Sequence, residues 1–339
     1  MNLNKDRYIY IDYIRIFAIL MVIILHCVCD YYNNFSNVRK DLWFILGFVN
    51  EICRTGVPLF FMISGFLLLN KEIKDIKTFY KQRFAKIGIP FLFYNAFYYM
   101  TVPNVDKSIS GFLKEFINCG SGYHLWFIYS ILFIYLMIPF IKMITDKCNL
   151  KMLIFFLLLV IFQTTLKPFM NVAFLDKAYI YLTEDGIVGY MGYLILGYML
   201  GKYDFEKKQK YLIYLTGILF MIVTPLVSMS NVVKNNEFLF HGGYALNHYV
   251  EAAAVFLFFK DYIHKKSYLV FMLSNASLGA YFIHVFILEQ LKKVPMDLTP
   301  SNQMMLWIAS TVVLSFLWGV FEKKIIGLKS LFNKQIPLN

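Results

Sequence analysis

Ten apolar segments, each 15 to 22 residues long, occupy most of this 339-residue chain. They run Tyr8–Cys29, Asn50–Leu69, Ile87–Val102, Leu125–Ile144, Leu150–Leu166, Gly186–Leu200, Leu212–Ser228, Tyr244–Phe259, Phe271–Leu291 and Met304–Val320. A helix needs about 20 apolar residues to cross a hydrocarbon core of about 30 Å. Only helices and closed barrels satisfy every backbone hydrogen bond inside lipid. The expected fold is therefore all-α, a polytopic integral membrane protein of about ten transmembrane helices. The third, sixth and eighth segments are short, so tilt or irregular backbone is expected there. Charged residues make up only 16% of the chain, against about a quarter in soluble domains, and no polar stretch is long enough for a separate soluble enzyme. Residues 1–339 read as a single membrane domain with no appended soluble domain.

The basic residues set the orientation. With ten crossings, 22 of the 33 lysines and arginines fall on the side of the N-terminus and 9 on the other, while Arg15 and Arg54 lie within segments. Loops rich in Lys and Arg stay in the cytoplasm. Both termini are thus expected to be cytoplasmic, in a multi-pass protein of the inner (plasma) membrane, surrounded by lipid. The same placement explains the net charge of +12 without nucleic acid as a partner. Tyr8–Cys29 carries charges and lacks a small-residue cleavage site, so it reads as a retained helix. Five cysteines, Cys27, Cys29, Cys53, Cys119 and Cys148, show neither an even disulfide count nor metal-ligand spacing. No metal is expected, and neither a phosphate-binding Walker loop nor an Arg-rich voltage-sensing helix occurs.

The first segment holds the polar residues that most need explaining. Arg15 and His26 are eleven residues apart, about three helical turns, so they point within roughly 20° of each other and about 16 Å apart along the axis. Asp12 is one turn ahead of Arg15 and close enough to pair with it. Each Arg or Asp costs roughly 2.5–3.5 kcal/mol at mid-membrane by insertion scales, so such a stripe should face the protein interior. An imidazole neutral near pH 7 suits a general base acting on a hydroxyl. Asp30 follows His26 by four residues, within reach of its ring. The plain alternative for His26 is an interhelical hydrogen bond that only holds packing.

Other candidates are weaker by themselves. Pro58 permits a kink, and Ser64–Gly65 combine a hydroxyl with close helix approach. Arg83 and Lys86 stand one turn apart before a span, fit to grip phosphates or to anchor the helix to anionic headgroups. His124 opens a span beside Tyr123 and Trp126, either an interfacial residue or part of a cavity wall. His284 lies deep in its span, in place to line a cavity with His26. His241, His248 and His264 read as solvated loop histidines.

Taken together, these pieces resemble the acyltransferase-3 family of bacterial membrane O-acyltransferases. The resemblance rests on Asp12-x-x-Arg15 with His26 eleven residues on, Pro58-Leu59-Phe60-Phe61-Met62-Ile63-Ser64-Gly65, and the basic pair before Ile87 and Pro90. It continues through His124-Leu125-Trp126-Phe127, Gly192–Gly197 and Gly279-Ala280-Tyr281-Phe282-Ile283-His284. The shared order of the motifs, over nearly the whole chain, carries it. It implies an acyl-CoA donor, with acetyl-CoA the expected one, and a carbohydrate or glycolipid acceptor in the cell envelope. It assigns function to Arg15 and His26, which with Asp12 form the expected catalytic group. It assigns donor binding to Arg83 and Lys86, where lysine replaces the family's second arginine and loses its bidentate fork. Ser64, His124 and His284 are the expected substrate-cavity residues. The competing reading is a transporter or flippase for a polysaccharide or lipid-linked sugar, which would act without acyl-CoA.

Overall fold

The computed structural model describes residues 7–33, 38–101, 107–118, 121–170, 186–235, 243 and 245–326. Among these the regular structure is entirely helical. Thirteen α-helices follow in order: α1 Ile9–Asn33, α2 Lys40–Cys53, α3 Gly56–Leu69, α4 Ile76–Arg83, α5 Ile89–Thr101, α6 Ile109–Ile117, α7 Trp126–Lys147, α8 Leu150–Met170, α9 Gly186–Lys202, α10 Lys207–Asn235, α11 Leu246–Tyr262, α12 Tyr268–Lys292 and α13 Pro300–Phe321. Each of the ten apolar segments contains a helix. Six stretches are long and apolar enough to cross a membrane: Ile9–Asn33, Lys40–Leu69, Tyr123–Lys147, Lys207–Ser230, Tyr268–Lys292 and Pro300–Lys324. Length and composition thus support six crossings outright, and the segments holding α5, α8, α9 and α11 are shorter.

The chain divides into two compact units, Met1–Gly56 with Phe259–Asn339, and Val57–Phe258. In the first unit α12 packs along both α13 and α1, and α1 also packs on α2. Buried Ile11, Ile14, Ala18 and Val22, with Ile19, Ile23 and Cys27, recur every three or four residues along α1, as a core-facing stripe must. Contacts climb both helices together: Asp12 meets Ser274, His26 meets His284, and Asp30 meets Lys292. The helices α1 and α12 therefore run parallel. Helix α13 runs the other way, since Gln303 and Trp307 at its start meet Tyr31 near the end of α1. The start of α1 and the end of α13 thus lie at the same end of this unit.

Pro58 permits a kink, and the helix breaks just ahead of it. Helix α2 stops at Cys53, and α3 begins at Gly56. Thr55 turns its hydroxyl back to the Ile52 carbonyl at 2.8 Å. Pro58 then sits in the first turn of α3, where a missing N–H costs nothing.

In the second unit, glycines set how closely helices approach. A Cβ at Gly65 would lie 1.8 Å from the Leu194 carbonyl oxygen, and one at Gly197 would lie 2.1 Å from that of Met62. The two backbones touch across α3 and α9, which only a missing side chain allows. Aromatic rings fill the remaining space, including Tyr193 stacked on Tyr249 at 4.0 Å and Phe61 on Tyr190 at 4.5 Å.

Ahead of α5 the chain makes a wide helical turn, Phe84–Gly88, in which the Ile89 N–H reaches back to the Phe84 carbonyl. Pro90 explains the extra residue, because it offers no N–H to the carbonyl four residues earlier. Asp75 caps the preceding α4, and hydrogen bonds from Thr78 hold its carboxyl below the usual carboxylate range. Helix α6 is an amphipathic piece within a loop. It sets Phe112 and Phe116 against Tyr99 and Phe91 and leaves Ile109, Leu113 and Ile117 exposed.

Gly65→Ala should therefore weaken the fold by about 1–3 kcal/mol, the usual cost of overpacking. Unfolding of the purified protein in mixed detergent micelles would measure it. An unchanged midpoint would show that α3 and α9 part at no cost.

Candidate active site

The first turns of α1 and α12 hold a compact ionic group. The Asp12 carboxylate is gripped on both oxygens by the Arg7 guanidinium, Nε to Oδ2 at 2.5 Å and Nη2 to Oδ1 at 2.6 Å. Arg15 Nη1 approaches Oδ1 at 3.3 Å, and the Ser274 hydroxyl donates to the same oxygen at 2.6 Å. Arg15 also donates to Ser274 Oγ at 3.2 Å, so the serine is held from both sides. Asp12 is buried, while Arg7 and Arg15 keep about a quarter of their side chains exposed, 28% and 25%. A carboxylate between two cations and a hydroxyl has its lone pairs answered, the condition under which burial of charge is tolerated. Arg7 is further fixed by lying 4.3 Å over the Phe271 ring.

Three turns along α1, His26 packs its ring 5.2 Å from that of His284. His284 is fully buried, and its Nδ1 lies 2.5 Å from the Tyr281 carbonyl oxygen. A carbonyl only accepts, so Nδ1 carries the proton and the neutral ring presents Nε2 as an acceptor. His26 is half-buried. Arg15 and His26 thus both turn toward α12, as the eleven-residue spacing requires. Asp30, within sequence reach of the His26 ring, is exposed and takes an ion pair from Lys292 at 2.5 Å.

The remaining candidates lie in the second unit. Ser64 is buried, donating to the Phe60 carbonyl at 2.9 Å and lying 3.0 Å from the Tyr135 hydroxyl. Arg83 is half-buried with its guanidinium 5.5 Å over the Phe79 ring, and Lys86 is exposed within the wide turn. The interfacial reading of His124 fails: it is 1% exposed, its ring edge-on to Tyr98 at 4.9 Å. The solvated reading of His248 fails too. It is fully buried, with Nδ1 3.0 Å from Glu251 Oε2, and Thr224 reaches the other carboxylate oxygen at 3.3 Å. The four-residue register of Asn247, His248 and Glu251 puts them inside α11, not before it. His264 is exposed, as expected. Cys119 and His241 lie outside the described residues.

Three polar groups escaped the sequence reading. Arg7 sits just outside the first apolar segment, and Ser274 is one of two serines in an apolar helix, so neither announces itself. The third is Glu51 with Arg54, an ion pair at 3.7 Å on α2, with Asn50 accepting from Arg54 at 3.2 Å. The three-residue spacing of Glu51 and Arg54 was the available signal. Among the described residues no group of three His, Cys, Asp or Glu side chains is placed to hold a metal.

With this geometry in hand, comparison with known proteins is direct. The sequence model of the acyltransferase domain family matches residues 8–321. The chain belongs to the acyltransferase-3 family. The match takes in Asp12, Arg15 and Ser274 of the ionic group, begins one residue after Arg7, and ends with helix α13. Two proteins of Enterococcus faecalis, each named amino-acid racemase, are also similar. One is 28% identical over 134 residues, 37% of this chain and 17% of that protein. The other is 32% identical over 133 residues, 36% of this chain and 18% of that protein. The chain therefore spans less than a fifth of the length of these curated relatives. No solved structure matches. The family match runs over a chain with six helices long and apolar enough to cross a membrane.

Asp12→Asn removes the charge that both arginines share and should cost about 3 kcal/mol, as breaking a buried pair does. Ser274→Ala should cost about 1 kcal/mol, the worth of one hydrogen bond. Unfolding midpoints of the two variants would check the order, and equal, negligible losses would show that the network contributes nothing.

Proposed function

We propose that the chain transfers an acyl group, acetyl in the expected case, from cytoplasmic acyl-CoA to a hydroxyl of a cell-envelope carbohydrate or glycolipid. The observation that carries the proposal is the common facing of Arg15 and His26 onto α12, with a buried histidine behind the one and a held carboxylate behind the other. His26 acts as general base. It takes the proton of the acceptor hydroxyl while that oxygen attacks the thioester carbonyl, and the CoA thiolate leaves with the electron pair of the broken C–S bond. The His284 ring, packed 5.2 Å from that of His26, holds this imidazole on the α12 side of the stripe. Arg15, anchored by Asp12 and Ser274, supplies positive charge on the donor side as negative charge develops on the thioester oxygen. Arg83 and Lys86 bind phosphate groups of the donor, the lysine as a point charge.

We infer ten crossings for the topology. Parallel α1 and α12, if both cross, demand an odd number of crossings between them, which six or ten in total equally supply. With six, the loops bearing Lys147, Lys151, Lys202, Lys207 and Lys208 would fall outside the cell. With ten, they are cytoplasmic, as the positive-inside rule favours. The start of α1 and the end of α13 then face the cytoplasm of the inner membrane, Arg15 sits in the inner half of the bilayer and His26 in the outer half. Racemisation is not part of this reading, because the shared stretch is a small fraction of the proteins so named.

His26→Ala, confirmed folded, should lower acyl-CoA-dependent transfer at least about 100-fold, the scale of a lost general base. Mass spectrometry of surface glycans, following the acyl mass in cells carrying the variant, would read it. Undiminished acylation would remove His26 from the chemistry, and substrate movement without any acyl-CoA would favour the transporter reading.

A further inference from the structure

At the foot of α1 and α12 lies a small, open recess lined by Arg7, Ile9, Asp12, Lys266, Ser267, Val270 and Phe271. All of these belong to the first unit. The geometry points to this recess as an anion-binding subsite that takes a phosphate group of the acyl donor. The inference rests on the acyl-CoA reading above and adds Arg7 and Lys266, which neither the family motifs nor the basic pair Arg83 and Lys86 include.

Four observations support it. Arg7 spends Nε and Nη2 on Asp12 and Nη2 also on Asn275, and its remaining amino group, Nη1, makes no hydrogen bond among the described residues. The guanidinium cannot swing away, because Asp12 grips one edge and the Phe271 ring covers its face. A cation fixed in this way loses little freedom when an anion arrives. Lys266 is exposed on the opposite lip and has no ion-pair partner among the described residues. Its backbone is steadied next door, where the Tyr13 hydroxyl donates to the Lys265 carbonyl at 3.0 Å. Third, the wall between the two cations is the first turn of the 25-residue α12, capped by Ser267. The first-turn N–H groups of a helix favour an anion. Fourth, the charges sum to suit one. Arg7 and Lys266 carry two positive charges against the single negative charge of Asp12, leaving the lining net positive toward an anion.

Asp12 lines the recess and also holds Arg15. A phosphate bound at Arg7 therefore stands at the cytoplasmic end of the same polar stripe that leads past Arg15 to His26. An anionic lipid headgroup shares the same phosphate chemistry, and the experiment separates the two sources.

The purified full chain is placed in phosphatidylcholine nanodiscs, and binding of CoA and of pantetheine, which lacks the nucleotide phosphates, is measured calorimetrically. Lys266→Ala and Lys266→Glu are the main variants, since an exposed lysine leaves the fold untouched. Arg7→Lys keeps the charge but gives up the fork. CoA affinity should fall about tenfold in Lys266→Ala and further in Lys266→Glu, pantetheine binding should not change, and added salt should narrow the difference. Wild-type affinity in Lys266→Glu, with loss instead in Arg83→Ala, overturns the subsite and leaves the acyl-CoA reading standing. Failure of the wild-type protein to bind CoA overturns both. A Lys266→Glu effect seen only as a changed response to phosphatidylglycerol in the disc assigns the recess to lipid and overturns the donor subsite.

Discussion

One carboxylate organises the first unit. Asp12 joins Arg7, just ahead of its helix, and Arg15, within it, to Ser274 on α12, and each partner would be poorly placed without it. A lone guanidinium at this depth would seek the headgroups by bending its long side chain toward water. Held by Asp12, Arg15 instead stays against α12. The ion pair therefore does less for raw stability, where desolvation offsets much of the attraction, than for position. That positioning makes the stripe usable for chemistry, since a charge fixed before the reaction needs no reorganisation during it.

The coarse architecture was legible because lipid leaves so few choices. Apolar blocks of bilayer length can only be helices, and every one of the ten contains a helix. The facing of Arg15 and His26 was legible too, since an eleven-residue spacing is a geometric fact of the α-helix. Partners on other helices were not. Nothing in the run Ser274–His284 reveals that its serine meets a carboxylate 262 residues earlier. Pro58 left the break unannounced for a related reason: the rule that proline distorts a helix is silent on whether the helix restarts ahead of it. His248 misled because a loop histidine and the first-turn histidine of a buried helix look alike until Glu251, three residues on, is seen to share its face.

That pair and the Glu51–Arg54 pair share a property with the Asp12 group. Each joins an acid and a base three residues apart on one helix, with the acid almost wholly buried. Such spacing makes the compensation local, within a single turn. These three groups thus hold acid and partner in short local packets. His26 and His284 differ, one imidazole from each of two helices, and an imidazole enters an apolar site cheaply because it can stay neutral.

The local packets also bear on how the chain enters the membrane. Helix α1 is made first, and α12 begins more than 230 residues later. During that interval Ser274 does not exist, yet Asp12 and Arg15 must already lie in or near lipid. Arg7 and Arg15 flank Asp12 in sequence, so the carboxylate is neutralised by its own stretch of chain before any partner arrives. The insertion cost of each charge is lowered at the moment it matters, and Ser274 later replaces whatever water or headgroup served in its place. On this argument the ionic group could not be moved to an arrangement of one charge per helix without loss, even if the finished structure placed the same atoms at the same distances. The order of synthesis, and not only the final geometry, favours Asp12 between two arginines in the opening stretch of chain.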